Sequence, residues 1–151
     1  MQPSGPVRLD VLLPAEKILL SPVGDRKEIL QQLVRNACPA MSAEEAEALA
    51  AQIEKREETI STALPSGIAL PHSRVEELTE LKASLALFKT PISFSGKKKV
   101  RALLLFLSPA DPAFFSAHLQ LLSISAQTFT GEFIQKLTSC RNAQEAAALF
   151  K

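Results

Sequence analysis

The sequence predicts a mixed α/β (α+β) fold, with one sheet of at least four strands covered by helices. Three observations carry this. Two stretches with N-terminal capping residues and a one-sided apolar face stand early in the chain, at residues 25–38 and 42–53. Short apolar runs with strand character follow at residues 68–70, 83–88, 92–94 and 100–107. Helical signals return after Asp111 and continue to the end. Helices, then strands, then helices give a sheet with helices packed on it.

Taken in order, residues 1–7 are expected to be a mobile N-terminal tail, since Pro3, Gly5 and Pro6 leave little to pack or pair, and residues 8–151 a single domain. Leu9, Val11, Leu12 and Leu13 suggest a short extended piece ending at Pro14, and Ile18, Leu19 and Leu20 another before Pro22. Asp25 with Glu28 caps a helix whose face is Ile29, Leu30, Leu33, Val34, Ala37 and Cys38. Ser42 with Glu45 caps a second, alanine-rich helix that delivers Arg56 at or just past its C-terminal end. Residues 61–67 form a loop, and Ile68 to Leu70 a strand that stops at Pro71 and presents His72. The run 100–107 is apolar enough to be buried on both faces, and Ser95-Gly96-Lys97 suits a hairpin connection. Asp111 and Pro112 start a helix with a core stripe of Phe115, Leu119, Leu122, Ala126 and Phe129. His118 stands beside that stripe, so its imidazole is expected in a cleft at the helix edge. Thr130 caps a short helix through Leu137, and Asn142 with Glu145 caps a last one ending near Phe150.

Composition narrows the function. A chain of 151 residues, 46% hydrophobic and 22% charged, is ordinary globular protein, and a formal charge of +1 gives no reason to expect nucleic acid as a partner. No apolar run approaches the roughly 20 residues that cross a bilayer, so no direct membrane insertion is expected. The N-terminus lacks the pattern of a secretory signal, which makes the cytoplasm the expected location. Cys38 and Cys140 lie far apart without zinc or redox spacing and are expected to be reduced structural thiols.

The residues that can carry chemistry are few. There are two histidines, His72 and His118, and an arginine, Arg56, lies sixteen residues before the first. A neutral imidazole is a nucleophile near pH 7. Phosphoryl transfer asks of a protein mainly positioning and charge stabilisation on the equatorial oxygens. An arginine fork supplies the second, and a second imidazole N–H donates to the same oxygens or restrains the first ring. Taken alone, Arg56 equally suits the C-terminal carbonyls of its helix, Ser61 and Thr62 suit their own backbone, and Lys97, Lys98, Lys99 and Arg101 suit a solvated hairpin end or a patch for an acidic partner. Metal-ligand spacings are missing, and so is the strand-to-helix turn of a serine hydrolase.

These residues also carry a resemblance. Arg56-Glu57 followed by Ser61-Thr62, then Gly67-Ile68-Ala69-Leu70-Pro71-His72, then residues 100–107 with Ser108-Pro109, then His118-Leu119 with Leu122 are similar to the IIA component of the fructose and mannitol class of the bacterial phosphoenolpyruvate-dependent phosphotransferase system, which includes the nitrogen-regulatory IIA proteins. The resemblance covers residues 8–151 and implies a mixed five-stranded sheet flanked by helices. It implies that His72 accepts a phosphoryl group from a histidine-containing phosphocarrier protein, that Arg56 and His118 line the same site, and that Thr62 contributes to phosphate binding. No metal or organic cofactor is implied. The chain departs from the family where Ala63 and Pro65 replace glycines of the loop before the strand, which predicts a stiffer loop.

The expected function is therefore phosphoryl carriage, phosphate passing on to a IIB domain or a regulatory target protein. The 151 residues hold no carrier, IIB or membrane IIC sequence, which favours a nitrogen-branch regulatory role. A sugar-specific IIA, and a binding module that keeps the fold without transferring phosphate, are the alternatives.

Overall fold

The computed structural model describes residues 6–96 and 98–151; residues 1–5, which hold most of the expected tail, and Lys97, the first lysine of the basic run, lie outside the described residues. Where an extended piece is expected at Leu9, Val11, Leu12 and Leu13, the chain forms a short helix, α1 (Leu9–Leu12). The reason is packing at a spacing of four: Leu9 and Leu13 enter the core while Val11 stays 67% exposed, whereas a strand would have put all three on one face. Strand β1 (Ile18–Leu20) follows as expected.

Both capped helices form where their sequence places them. Helix α2 (Arg26–Ala37) and helix α3 (Ala43–Thr59) each begin with a full capping box, Asp25 with Glu28 and Ser42 with Glu45. Arg56 falls in the last turn of α3.

The sheet has five strands: β1, β2 (Ile68–Ala69), β3 (His72–Val75), β4 (Lys82–Ser95) and β5 (Lys98–Pro109). Its order is β1-β4-β5, with β2 and β3 both on the far side of β5. β4 and β5 are an antiparallel hairpin, with Gly96 at φ +63° in the connection, and β1, β2 and β3 run parallel to their neighbours. The two expected strands at 83–88 and 92–94 are one, bent by a register shift between Leu87 and Ile92 where Pro91 has no N–H to give.

The strand that carries the Pro-His pair does not stop at the proline. Ile68 pairs with Ala102 and His72 with Phe106, the same offset on either side of Pro71, so β2 and β3 are one edge strand interrupted for two residues. Pro71 still takes part through its carbonyl, which accepts from the Phe106 N–H (3.1 Å). The ladder is interrupted there because proline has no N–H to give to β5, a loss of one bond that an edge position tolerates.

β5 is buried on both faces. Leu103, Leu105 and Leu107 join the core with α2 and α3, while Ala102, Leu104 and Phe106 join a second core with α1 and the C-terminal helices. Those helices are α4 (Phe115–Thr128), α5 (Gly131–Thr138) and α6 (Ala143–Ala148), the last two capped by Thr130 and Asn142 as expected.

Helix α4 is turned relative to expectation. Its buried face is Ala117, His118, Leu121 and Ser125, whereas Phe115 and Leu119 are 51% and 49% exposed. Asp111 and Pro112 open a 3-10 turn, Pro112–Phe114, rather than the α-helix itself. Its three residues per turn bring Phe114 into the core and set the phase of α4. His118 is therefore on the buried face of α4, not beside an apolar stripe.

Candidate functional site

The site lies where the two helical layers meet at the edge strand. Side chains alternate along β3, so His72 and Arg74 face α4 while Ser73 faces α3. From the α3 side, Arg56 donates from a terminal guanidinium nitrogen to Ser73 Oγ (3.2 Å). From the α4 side, His118 meets His72 edge-on, ring centroids 5.3 Å apart. The ring of His72 lies flat on Phe106, its register partner on β5, at 4.9 Å and 7°.

A chain of hydrogen bonds holds His72 in one tautomer. Its Nδ1–H donates to the Leu70 carbonyl two residues back (2.6 Å), which leaves Nε2 with a free lone pair. Leu70 is itself anchored, since its N–H donates to Thr62 Oγ1 (2.9 Å). The Thr62 hydroxyl donates to Glu57, and the same carboxylate accepts from the Thr62 N–H (2.9 Å). Glu57 is 3% exposed at the end of α3, so the helix, the loop and the strand are tied through a buried carboxylate.

The loop is closed as well as anchored. The Gly67 N–H donates to the Leu64 carbonyl (3.0 Å), a turn with Pro65 at its second position, where a fixed φ is favourable and no donor is needed. Gly67 supplies the positive φ of +103°. Pro65 thus fits the turn it occupies.

Arg56, Thr62 and His72, with Gln52, Lys55 and Ile60, line a cleft of about 560 Å³ at the end of α3. His118 is not part of that lining. It is 7% exposed, and its Nδ1 lies 2.6 Å from Ser108 Oγ, itself fully buried on β5. Burial, then the nearby His72 and the Arg74 guanidinium, hold the His118 imidazole below its ordinary value of 6.5, which favours the neutral ring.

The structure therefore places the expected residues as two groups sharing His72: Arg56, Thr62 and His72 around one cleft, and His72 against His118 on the opposite side. Residues to which sequence reasoning gave no role complete the arrangement. Glu57 and Ser73 bind Thr62 and Arg56, and Ser108 binds His118. Arg74 donates to the carbonyls of Pro109 and Asp111, both at 3.0 Å. Only alternation from His72 would have pointed to Arg74, and Ser108, quoted with Pro109 in the resemblance, carries no local sign of a bond to His118.

Among known proteins, a nitrogen regulatory protein of Pseudomonas aeruginosa is 26% identical over 147 residues, covering 96% of this chain and 94% of the relative. The crystal structure of the nitrogen regulatory protein IIA-Ntr from Neisseria meningitidis has the same fold, with a TM-score of 0.77 at 23% identity over 95% of this chain and 99% of the other. So does IIA mannitol from Escherichia coli, with a TM-score of 0.72 at 18% identity over 92% and 99% of the two chains. Residues 11–151 match the model of one family, and the chain belongs to it: the phosphoenolpyruvate-dependent sugar phosphotransferase system, EIIA 2.

Proposed function

We propose that this protein is a regulatory phosphohistidine carrier that accepts a phosphoryl group on Nε2 of His72. One observation carries the reading: the Nδ1–H bond to the Leu70 carbonyl leaves Nε2 as the ring's only lone pair, on an edge strand beside an arginine. In the forward step Nε2 attacks phosphorus on the phosphohistidine of a small carrier protein. The new N–P bond forms as the donor's N–P bond breaks, and the donor ring nitrogen leaves with the electron pair. The His72 ring becomes cationic because it keeps its Nδ1 proton, and the Leu70 carbonyl stabilises that charge. When the phosphoryl group moves on to a IIB domain or a regulatory target, the ring departs as neutral imidazole with the proton already in place.

Arg56 supplies positive charge to the equatorial oxygens from the α3 side of the cleft. His118 donates an N–H to them from the α4 side. The Thr62 hydroxyl proton is engaged by Glu57, so its contribution is to hold Leu70, and through Leu70 the tautomer of His72. The regulatory rather than sugar-specific assignment is supported by the likeness to nitrogen regulatory proteins.

The test is intact mass and phosphohistidine detection after mixing the protein with phosphoenolpyruvate, enzyme I and the phosphocarrier. Wild type and His118→Ala are expected to gain one acid-labile phosphate, and His72→Ala none. No gain by the wild type with several carriers leaves a docking module on the family fold and overturns the reading.

A further inference from the structure

The α4-facing side of β3 and β5 holds two residues with no direct part in the transfer step. Arg74 and Ser108 are register partners on β3 and β5, as His72 and Phe106 are two residues earlier, and all four side chains neighbour His118. Ser108 Oγ is fully buried, and its hydrogen-bond partner is His118 Nδ1 at 2.6 Å. A buried hydroxyl whose proton has no acceptor is costly. If Nδ1 carried the ring proton, the serine would accept it and its own O–H would need a second acceptor, which no described residue provides. With the serine donating, the hydroxyl proton and the Nδ1 lone pair are both satisfied and the ring's proton sits on Nε2.

Arg74 acts on the same ring by another route. Its terminal nitrogen bridges the carbonyls of Pro109 and Asp111, closing the turn between β5 and α4 at two points. Its guanidinium lies 5.4 Å from the ring centroid of Phe115, the first residue of α4. The helix that carries His118 is thus pinned to the strand that carries His72.

We infer that Ser108 and Arg74 are positioning residues for phosphoryl transfer that act through His118, Ser108 by keeping the ring proton on Nε2 and Arg74 by fixing the start of α4 against β3. The inference rests on the reading of His72 as phosphoryl acceptor with His118 as an N–H donor to the phosphoryl oxygens. The groups that face His118 are His72 and Arg74 from β3 and Ser108 with Phe106 from β5. No described carboxylate pairs with it, so an adjacent cation and a serine donor both favour a neutral donor ring. A serine is suited to this because it donates to Nδ1 without bringing charge into the core, where an aspartate would favour the imidazolium.

The chain has only two histidines, so ring nitrogens are resolved readily by long-range ¹H–¹⁵N NMR. The rings are expected to be opposite tautomers at pH 7.5, Nδ1–H in His72 and Nε2–H in His118. Ser108→Val is expected to populate the Nδ1–H form of His118 and to slow transfer from the phosphocarrier about tenfold at saturating carrier, on the scale of one hydrogen bond. Ser108→Thr, which keeps the hydroxyl, restores both spectrum and rate. Arg74→Gln is expected to move the His118 titration upward and the acidic limb of the pH–rate profile with it.

An Nδ1–H tautomer of His118 in the wild type overturns the inference without any variant. So does a phosphorylated Ser108→Val protein with the wild-type ring spectrum and rate, or an Arg74→Gln protein whose His118 titrates as in wild type; in each of these cases the acceptor reading stands. A wild type that takes no phosphate overturns the acceptor reading itself, and the positioning role falls with it whatever the ring spectra show.

Discussion

His118 is a buried imidazole, and its burial makes the fold sensitive to pH. Burial disfavours the charged ring, and His72 and Arg74 add to this, so the imidazole in the folded protein titrates below 6.5. Above that pH the ring is neutral in both folded and unfolded chains and has no effect on stability. As the pH falls below 6.5 the unfolded chain takes up the proton before the folded one does, so stability declines with falling pH. His118→Gln removes this source of pH dependence. Urea denaturation at pH 7.5 and 5.5 is expected to show a smaller loss of stability between the two for His118→Gln than for wild type; an equal loss in both proteins counts against the buried neutral ring. At this scale the sequence was informative about types and positions. His72, Arg56 and Thr62 line one cleft and His118 lies outside it, and Ser108, though part of the motif at the end of β5, was given no role because that role depends on a helix that returns to it across the sheet.

The elements divide into those specified locally and those placed by packing. Helices α2, α3, α5 and α6 were legible because Asp25, Ser42, Thr130 and Asn142 each satisfy an orphan N–H within the next three residues. The edge strand and α4 were misread because local signals compete there with tertiary contacts. Proline reads as a stop, yet β3 resumes in the same register because β5 offers it an unbroken row of partners. Phe115 and Leu119 read as core, yet the residues that are buried include His118 and Ser125, whose polarity hides the true face. That misreading has a consequence for partner binding. Two large apolar side chains one turn apart stand exposed beside His118 and Arg74, the kind of patch that a docking protein covers. Leu119→Glu is expected to raise the KM for the phosphocarrier at least several-fold, with kcat nearly unchanged and a melting temperature close to that of wild type. A variant whose kcat falls while KM holds would place Leu119 in the chemistry instead.

Across the whole molecule, the site exists only where two cores are held in one arrangement. Arg56 arrives on the layer of α2 and α3, whose packing includes Leu33, and His118 arrives on the layer of α4 to α6, whose packing includes Ile134. Both layers rest on alternate residues of the same strand, β5, so neither has a sheet of its own. The two faces should therefore unfold together. Leu33 and Ile134 are 0% and 1% exposed, and truncating either to alanine is expected to cost about 2–5 kcal/mol. With no Trp and no Tyr in the chain, far-UV circular dichroism and amide NMR signals from each layer are the suitable probes of urea unfolding. Leu33→Ala and Ile134→Ala are each expected to shift a single transition, coincident for signals from both layers, and the double variant to lose close to the sum of the two. Two separated transitions in either variant would mean that the layers are independent, and Arg56 and His118 would then lose their common frame before the protein unfolds. A coincident transition makes remote core residues guardians of the site's geometry, since any loss of stability on one side lowers the fraction of molecules in which His72 has both partners.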